Sequence, residues 1–299
     1  MLLDAMRDGA FAEMVDSDDV ATTSRVVRIR PADWSVVIPF FNERDFLGDT
    51  LASLAAQTRR FTLILVDNGS TDGSAKVAVD TCRALGLDWM LLDERRPGKV
   101  FALTTGLERV RSPLVATCDA DTWYPPEYLA EAEALLGARG SVAAGAFFAA
   151  RDDKADQRRN ALHISIMPSL LRRQCHTGGA GQVFRTAALR RAGGFDAQRW
   201  NYVLEDHEII HRVHREGSMK YSPRFWCAPS PRERNRESIR WTLAERILYH
   251  ALAPVAGDWF FYRFLARRLD RRRMTSERIR ERPFQALRIV DAPAASMCG

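Results

Sequence analysis

The stretch Leu114-Val-Ala-Thr-Cys-Asp-Ala-Asp121 decides how this chain is read. Its apolar, β-branched first half has the character of a buried strand. It ends in two carboxylates, Asp119 and Asp121, one residue apart. Where the chain bends just past a strand, such a pair turns into one crevice. There it suits a hard divalent cation, which takes oxygen ligands and keeps waters or phosphates in its other positions. An Asp-x-Asp is a weak pattern by itself, so the surrounding chain has to carry the argument.

Outward from that strand the pattern repeats. Trp34-Ser-Val-Val-Ile-Pro-Phe-Phe-Asn-Glu43 is an apolar strand closed by Pro39 and a polar turn. Leu47, Leu51, Leu54 and Ala55 then fall at i, i+4, i+7 and i+8, one face of a helix. Phe61-Thr-Leu-Ile-Leu-Val-Asp67 is a second strand. It empties into Asn68-Gly-Ser-Thr-Asp-Gly-Ser74, rich in residues that tolerate positive φ or cap helices. A third strand is expected over Trp89 to Leu92, then Gly98-Lys99 and a helix to Val110. Strands alternating with helices predict a mainly parallel sheet with both faces covered. Ligands of such sheets bind beyond the carboxyl ends of the strands, where Glu43, Asp67, Lys99, Asp119 and Asp121 all fall.

This ordered set resembles the family 2 glycosyltransferases of the GT-A fold. Val37-Ile-Pro-Phe-Phe-Asn-Glu43 is similar to the family's opening strand and turn, and Val66-Asp-Asn-Gly-Ser-Thr-Asp72 to its nucleotide-binding turn. Asp119-Ala-Asp121 is similar to its metal motif, and Gly193-Gly-Phe-Asp196 with Glu205-Asp206 to its acceptor-side motifs. The resemblance runs from about Ser35 to Ser222, roughly two-thirds of the chain. It implies an α/β GT-A domain over residues 30–228, with a mostly parallel central sheet flanked by helices. The nucleotide half would span residues 30–121 and the acceptor half residues 122–228. Residues 1–29 are expected to be a flexible or loosely docked leader, and residues 229–299 a basic helical C-terminal extension.

The resemblance also assigns roles. Asp67 would accept a hydrogen bond from the base, with Asn68 beside it, and Pro39, Phe40 and Glu43 would wall base and ribose. Asp119 would take the ribose or bridge to the metal, and Ala120 beside it would join the nucleotide-sugar-binding residues. Asp121 would ligate manganese or magnesium, which binds the diphosphate as a Lewis acid. Lys99 would add a point charge near the phosphates, or else be a solvated lysine at a helix start. On the acceptor side stand Gly179, in the side-chain-poor run Thr177-Gly-Gly-Ala-Gly181, together with Arg185 and Trp241. Asp206 is the implied general base of an inverting transfer, its pKa expected to rise on partial burial; Glu205 would orient acceptor or base. The implied donor is a nucleotide-diphospho-sugar, UDP-linked by preference, and the acceptor a lipid-linked or saccharide hydroxyl.

Two departures from the family pattern stand out. Asn68 occupies the place of a more common second Asp, which leaves the nucleotide open. No histidine lies between Arg215 and Tyr249 to complete a metal shell, and Cys227 is a poor substitute for a hard cation. His207, His211 and His214 share a helical flank that reads as polar surface rather than a metal face. Glu237-Ser-Ile-Arg-Trp241 is similar to the Gln-x-x-Arg-Trp motif of processive polysaccharide synthases, with Glu for Gln. Rival readings are a sugar nucleotidyltransferase, an inactive carbohydrate-binding relative and a dinucleotide oxidoreductase. The first lacks a Gly-rich basic loop after the first strand, the second is at odds with intact Asp121 and Asp206, and the third lacks Gly-x-Gly-x-x-Gly.

Charge is uneven. Residues 228–299 hold 15 Arg, no Lys and 8 acidic residues, +7 against +6 for the whole chain. Within them Phe261, Phe264, Leu265 and Leu269 can share one helical face flanked by arginines. Two outcomes are open: peripheral contact with an anionic membrane, or packing of that face on the domain. No nucleic-acid motif accompanies the basic run. No apolar run reaches the ~20 residues that span a bilayer, and the first residues lack a signal-peptide pattern. Five scattered cysteines fit a reduced, cytoplasmic setting, at most peripheral on the inner membrane face.

Overall fold

The computed structural model describes residues 33–171, 173–230 and 241–278, and these fall in one compact unit. The leader, residues 1–29, and most of the Glu237–Trp241 motif lie outside the described residues. In chain order the first half runs β1 (Trp34–Phe40), α1 (Arg44–Ala55), β2 (Phe61–Asp67), α2 (Ser74–Ala84), β3 (Trp89–Asp93), α3 (Lys99–Arg109) and β4 (Leu114–Thr117). The second half runs β5 (Thr122–Trp123), α4 (Tyr128–Gly137), β6 (Ser141–Phe148), α5 (Lys154–Leu170), β7 (Gln182–Arg185), α6 (Thr186–Arg191), α7 (Glu205–Val213) and β8 (Ser218–Pro229). It closes with α8 (Leu243–Asp258), a π-helical segment Trp259–Leu265 and α9 (Ala266–Arg271).

One eight-stranded sheet results, in the order β3-β2-β1-β4-β7-β6-β8-β5. Its first four strands are parallel, joined by crossover helices. β7 runs antiparallel to both neighbours, β6 and β8 are parallel, and β5 is antiparallel to β8.

Alternation along each strand sends side chains to two cores, one per face. Trp34, Val36, Ile38 and Phe40 of β1 pack with α1, α2 and α4 residues, while Val37 joins α3, α6 and α7 residues on the other face. β2 splits the same way, Leu63 and Leu65 against Ile64 and Val66. Burial on both faces explains the near-continuous apolar runs of these strands.

The same alternation corrects one expectation. Phe40 is an even step from Trp34, so its ring is buried in the core (3% exposed) and cannot wall a nucleotide.

The C-terminal helices have their own core, built from Trp200, Tyr249, Phe260, Phe261, Leu265 and Leu269. Phe261, Leu265 and Leu269 are fully buried there and Phe264 packs against them. Of the two outcomes left open for that face, the structure takes packing on the domain. Among the described residues no helix is long and apolar enough to cross a membrane.

Candidate active site

The carboxyl ends of β1, β2 and β4 meet at one edge of the sheet. Phe40 pairs with Asp67 and Val37 with Thr117, so the turns after these strands converge. Asp67 closes an Asx-type turn by accepting from the Ser70 N–H at 2.8 Å. Glu43 begins α1, its own N–H donating to the Ser74 hydroxyl at 2.8 Å. Pro39 is half-buried beside Val66. These three share the edge where a base and ribose were expected.

Asn68 has a different position. It is buried, and its amide donates to the carbonyls of Glu94 (2.7 Å) and Arg96 (2.8 Å) while accepting from the Gly98 N–H (2.9 Å). Its amide is turned into the β3–α3 loop, and the expectation that it contacts nucleotide gives way to a structural role. An Asp could not make both donations. Gly98 holds φ +133° and is packed so closely that a Cβ would meet Ser276 at 2.8 Å, which requires glycine. Through Gly98, Asn68 fixes where α3 begins, and with it Lys99.

The Lys99 ammonium lies 2.7 Å from Asp119 and 3.4 Å from Glu205. It therefore links the metal motif to the acceptor-side pair across a narrow cleft lined by Thr117, Gln182 and Asp206 as well. Burial opposes its charge, but Asp119 and Glu205 outweigh burial and raise its pKa well above the ordinary lysine range.

The Asp119–Asp121 loop is clamped from outside the motif. The Thr50 hydroxyl on α1 donates to the Ala120 carbonyl at 2.9 Å and accepts from the Thr122 N–H at 3.1 Å. Tyr124 OH accepts from the Asp119 N–H at 2.9 Å and donates to the Ala180 carbonyl at 3.1 Å. Ala120 acts through its carbonyl here, its methyl buried in the core. Asp121 is buried, 3.3 Å from the Ser230 hydroxyl, and lines a wide, open cavity of about 780 Å³ with Trp123 and Arg151. The Arg151 guanidinium lies 4.5 Å from the Trp123 ring centre.

Opposite, Glu205 and Asp206 open α7. Leu204 precedes them with φ +65°, a left-handed setting that costs an L-residue roughly 1 kcal/mol. Glu208 and Arg212, both buried and paired at 2.7 Å, hold the helix behind it. Two carboxylates at a helix start gain from the dipole, yet they are not equivalent. Burial pushes Glu205 up, an effect Lys99 only partly offsets and the Asp206 charge reinforces. Burial would raise Asp206 too, but His207 beside it, aided by the Lys99 charge, outweighs burial and holds it below the ordinary range. The rise expected at Asp206 falls on Glu205 instead.

Gly178 and Gly179 let the 173–181 segment cross directly over this pair. A Cβ at Gly178 would lie 2.8 Å from Phe148 Cε2, and one at Gly179 3.2 Å from Lys99 Nζ. Gln182, at the start of β7, donates to the Asp206 carbonyl at 3.0 Å. Arg185, at the other end of that antiparallel strand, pairs with Leu114 and donates to the carbonyls of Ser141 (3.0 Å) and Leu136 (2.6 Å). It lies at the far edge of the sheet, which overturns its expected acceptor role. Trp241 stacks on Phe260 and meets His207 and Tyr249 edge-on or tilted; it supports the site through His207. The three histidines in and just after α7 disperse: His207 to Asp206, His211 to Asp258 at 2.8 Å, and His214 into a buried setting that lowers its pKa to about 4.

Thr50, Tyr124, Gln182 and His207 thus belong to the site without having been singled out for it. Only His207, adjacent to the carboxylate pair, left a signal in the sequence.

Comparison with known proteins adds independent findings. The model of "Glycosyl transferase family 2" matches residues 35–197, more than half of the chain; Glu205 and Asp206 lie beyond that span. The undecaprenyl-phosphate 4-deoxy-4-formamido-L-arabinose transferase of Klebsiella pneumoniae subsp. pneumoniae is 37% identical over 98 residues, 31% of this chain and 30% of that protein. Its counterpart from Pseudomonas savastanoi pv. phaseolicola is 32% identical over 129 residues, 42% of this chain and 38% of that protein. The chain thus aligns with about a third of the length of these curated relatives. Among solved structures, the mannosyltransferase PcManGT of Pyrobaculum calidifontis, in complex with GDP-Man and Mn2+, superposes with a TM-score of 0.59 at 20% identity, covering 80% of this chain and 74% of that one. S. aureus TarS in complex with UDP-GlcNAc gives 0.54 at 17% identity, covering 80% and 73%. These two establish likeness of fold.

Proposed function

This chain belongs to glycosyl transferase family 2, and we propose that it moves a sugar from a nucleotide-diphosphate donor to an acceptor hydroxyl with inversion. The observation that carries this reading is Lys99, which holds Asp119 at 2.7 Å and Glu205 at 3.4 Å. A carboxylate from the donor edge and the acceptor-side pair thereby face one another across a single cleft. Asp206 serves as the base, Glu205 and Lys99 orient the reacting groups, and Asp67 and Glu43 hold the nucleotide, a UDP-sugar being the first candidate.

Asp121 and Asp119 offer hard oxygen atoms, and among the described residues no group of three His, Cys, Asp or Glu side chains gathers into a metal site. That donor set fits a magnesium or manganese ion held by one or two carboxylates and completed by phosphate and water oxygens. Such an ion would supply Lewis-acid stabilisation of the leaving diphosphate.

The acceptor belongs to lipid-linked or saccharide chemistry of envelope assembly, a reading supported by the names of the curated relatives. Peripheral contact with the cytoplasmic membrane face is part of this proposal, through a surface other than the buried Phe261 face. Leu243, Ile247, Val255 and Trp259 recur every four residues or multiples of four and are 74%, 57%, 83% and 49% exposed, with Arg246 and Arg263 nearby in sequence.

A thermal-shift panel of UDP, GDP, ADP and CDP, each with manganese, tests the donor. One nucleotide at a hundredfold excess over its Kd should stabilise the fold by about 2.7 kcal/mol; stabilisation by none would overturn the reading. Co-sedimentation with anionic vesicles tests the surface, which should lose binding in a Leu243→Ser, Ile247→Ser variant.

A further inference from the structure

His207 is the group at the site to which the transferase reading gives no task. Its Nδ1 lies 2.9 Å from Asp206 Oδ1, and its backbone N–H donates to the same oxygen at 2.8 Å. Since the carboxylate accepts, Nδ1 is the donor of this hydrogen bond. Among the described residues Nε2 has no partner. The ring is held edge-on to Trp241 and Tyr249, at 5.3 and 5.7 Å between centres. Tyr249 OH is itself fixed by the Cys175 N–H at 2.9 Å.

The imidazole also lines a second, open groove of about 370 Å³, together with Phe148, His163, His176 and Gly178. Asp206 stands at the wall between this groove and the donor cleft, its Oδ2 3.6 Å from where a Cβ of Gly178 would be. No lysine or arginine lines the groove among the described residues. Burial holds the His176 imidazole below the ordinary histidine range, which favours its neutral form. The Lys99 ammonium lines the other cleft, where Asp119 and Glu205 hold it. A groove lined by imidazoles and by no lysine or arginine, with the Asp206 carboxylate just behind Gly178, suits a group that brings a proton. It disfavours a phosphate oxyanion, which needs cations or several N–H donors.

We propose that Asp206 and His207 form one acceptor-side unit that receives a neutral hydroxyl and not a phosphate group, with His207 as the positioning residue. This rests on the transferase reading but separates the chain from relatives named for undecaprenyl phosphate. The Nδ1–H of His207 occupies Oδ1 and leaves Oδ2 to take the proton. As the acceptor oxygen bonds to the anomeric carbon, its proton passes to Oδ2. The bond from that carbon to the diphosphate oxygen breaks, and the electron pair stays on the diphosphate. His207 keeps its Nδ1 proton throughout.

Two measurements test the proposal. Long-range proton–nitrogen spectra of the imidazoles need no substrate: His207 should be the Nδ1–H tautomer, and Asp206→Asn should change its signals. A His207 in the Nε2–H tautomer would overturn the proposal. In the second, rates are compared with water as the probe acceptor (donor hydrolysis) and with undecaprenyl phosphate. His207→Ala should slow hydrolysis by about 10²-fold, the cost of a misplaced reacting group, with the donor KM unchanged. His207→Asn, which restores an N–H in the Nδ1 place, should recover most of it. In the Asp206→Asn background His207→Ala should cost nothing more. Transfer to undecaprenyl phosphate that is faster than hydrolysis and indifferent to both substitutions would refute the hydroxyl assignment. Absence of any nucleotide binding would instead defeat the transferase reading and leave the tautomer result to decide the pairing.

Discussion

The two halves of the sheet bring their residues to the site by different means. In the parallel half, β3-β2-β1-β4, each strand delivers its own turn to the same edge, so Glu43, Asp67, Lys99 and Asp119 assemble from successive βα units. In the other half, β7 runs backwards, and the site is made by long segments that double back over it. There Gly178 and Gly179 pass over Asp206, Leu204 takes a left-handed turn, and Gln174 near the end of α5 donates to the His250 carbonyl of α8, 76 residues on, at 3.0 Å. Repetition makes the donor edge predictable, whereas single long-range contacts make the acceptor side.

That contrast is open to test from several sides. Phe261→Ala should have the largest effect on stability, about 3–5 kcal/mol, because its ring is fully buried between Trp200, His211 and Phe260. Denaturant unfolding measures this, and Val255→Ser on the exposed side of the same region should stay within about 0.5 kcal/mol. Equal effects of the two would mean that the C-terminal helices do not support the acceptor side by packing.

Asp121→Ala, at the seam between the halves, should lower turnover by about 10²-fold or more, on the order of 3 kcal/mol. A variant as active as the wild type in the presence of a chelator would remove the metal from the proposal.

Asn68→Asp would install the residue common at this place in the family. Here it should cost on the order of 2 kcal/mol, since the carbonyls of Glu94 and Arg96 lose their donor and face a carboxylate instead. A thermal-shift measurement without loss of stability would show that the β3–α3 loop is held by something else.

The smallest effect concerns Glu94 in the same loop. The Arg96 guanidinium, aided by the Thr105 hydroxyl and against the effect of burial, lowers its pKa from the ordinary 4.5 to about 2. The folded state thus binds this proton more weakly than the unfolded chain. Its contribution is fully present above pH 4.5 and fades as pH falls towards 2. Acid titration of Glu94→Gln should show a shallower loss over that window, and an unchanged slope would assign the acid sensitivity elsewhere.

Much of the fold was legible because its signals are local. Apolar runs closed by turn residues gave β1, β2 and β4, and the helical spacing of Leu47, Leu51 and Leu54 gave α1. The parallel arrangement then placed Asp67 and Asp119 at one edge without any tertiary information. α5 and the strands β6 and β8 went unread, since small residues such as Ala143, Ala144 and Gly145 carry little pattern. Phe40 and Arg185 were misplaced for related reasons. A motif says which turn a residue adjoins, but strand parity decides its face and strand direction decides its end.

By its sequence alone this protein was committed to an α/β sheet, to a carboxylate pair after β4 and to a second pair at a helix start, because strand period, turn chemistry and spacing are properties of short segments. Only the tertiary structure decided that Lys99 joins the two pairs, that Asn68 serves the loop, that burial raises Glu205 while His207 lowers Asp206, and that the Phe261 face is core. Each of these depends on which distant side chains share a buried volume, where desolvation and charge act over a few ångströms of space and not along the chain.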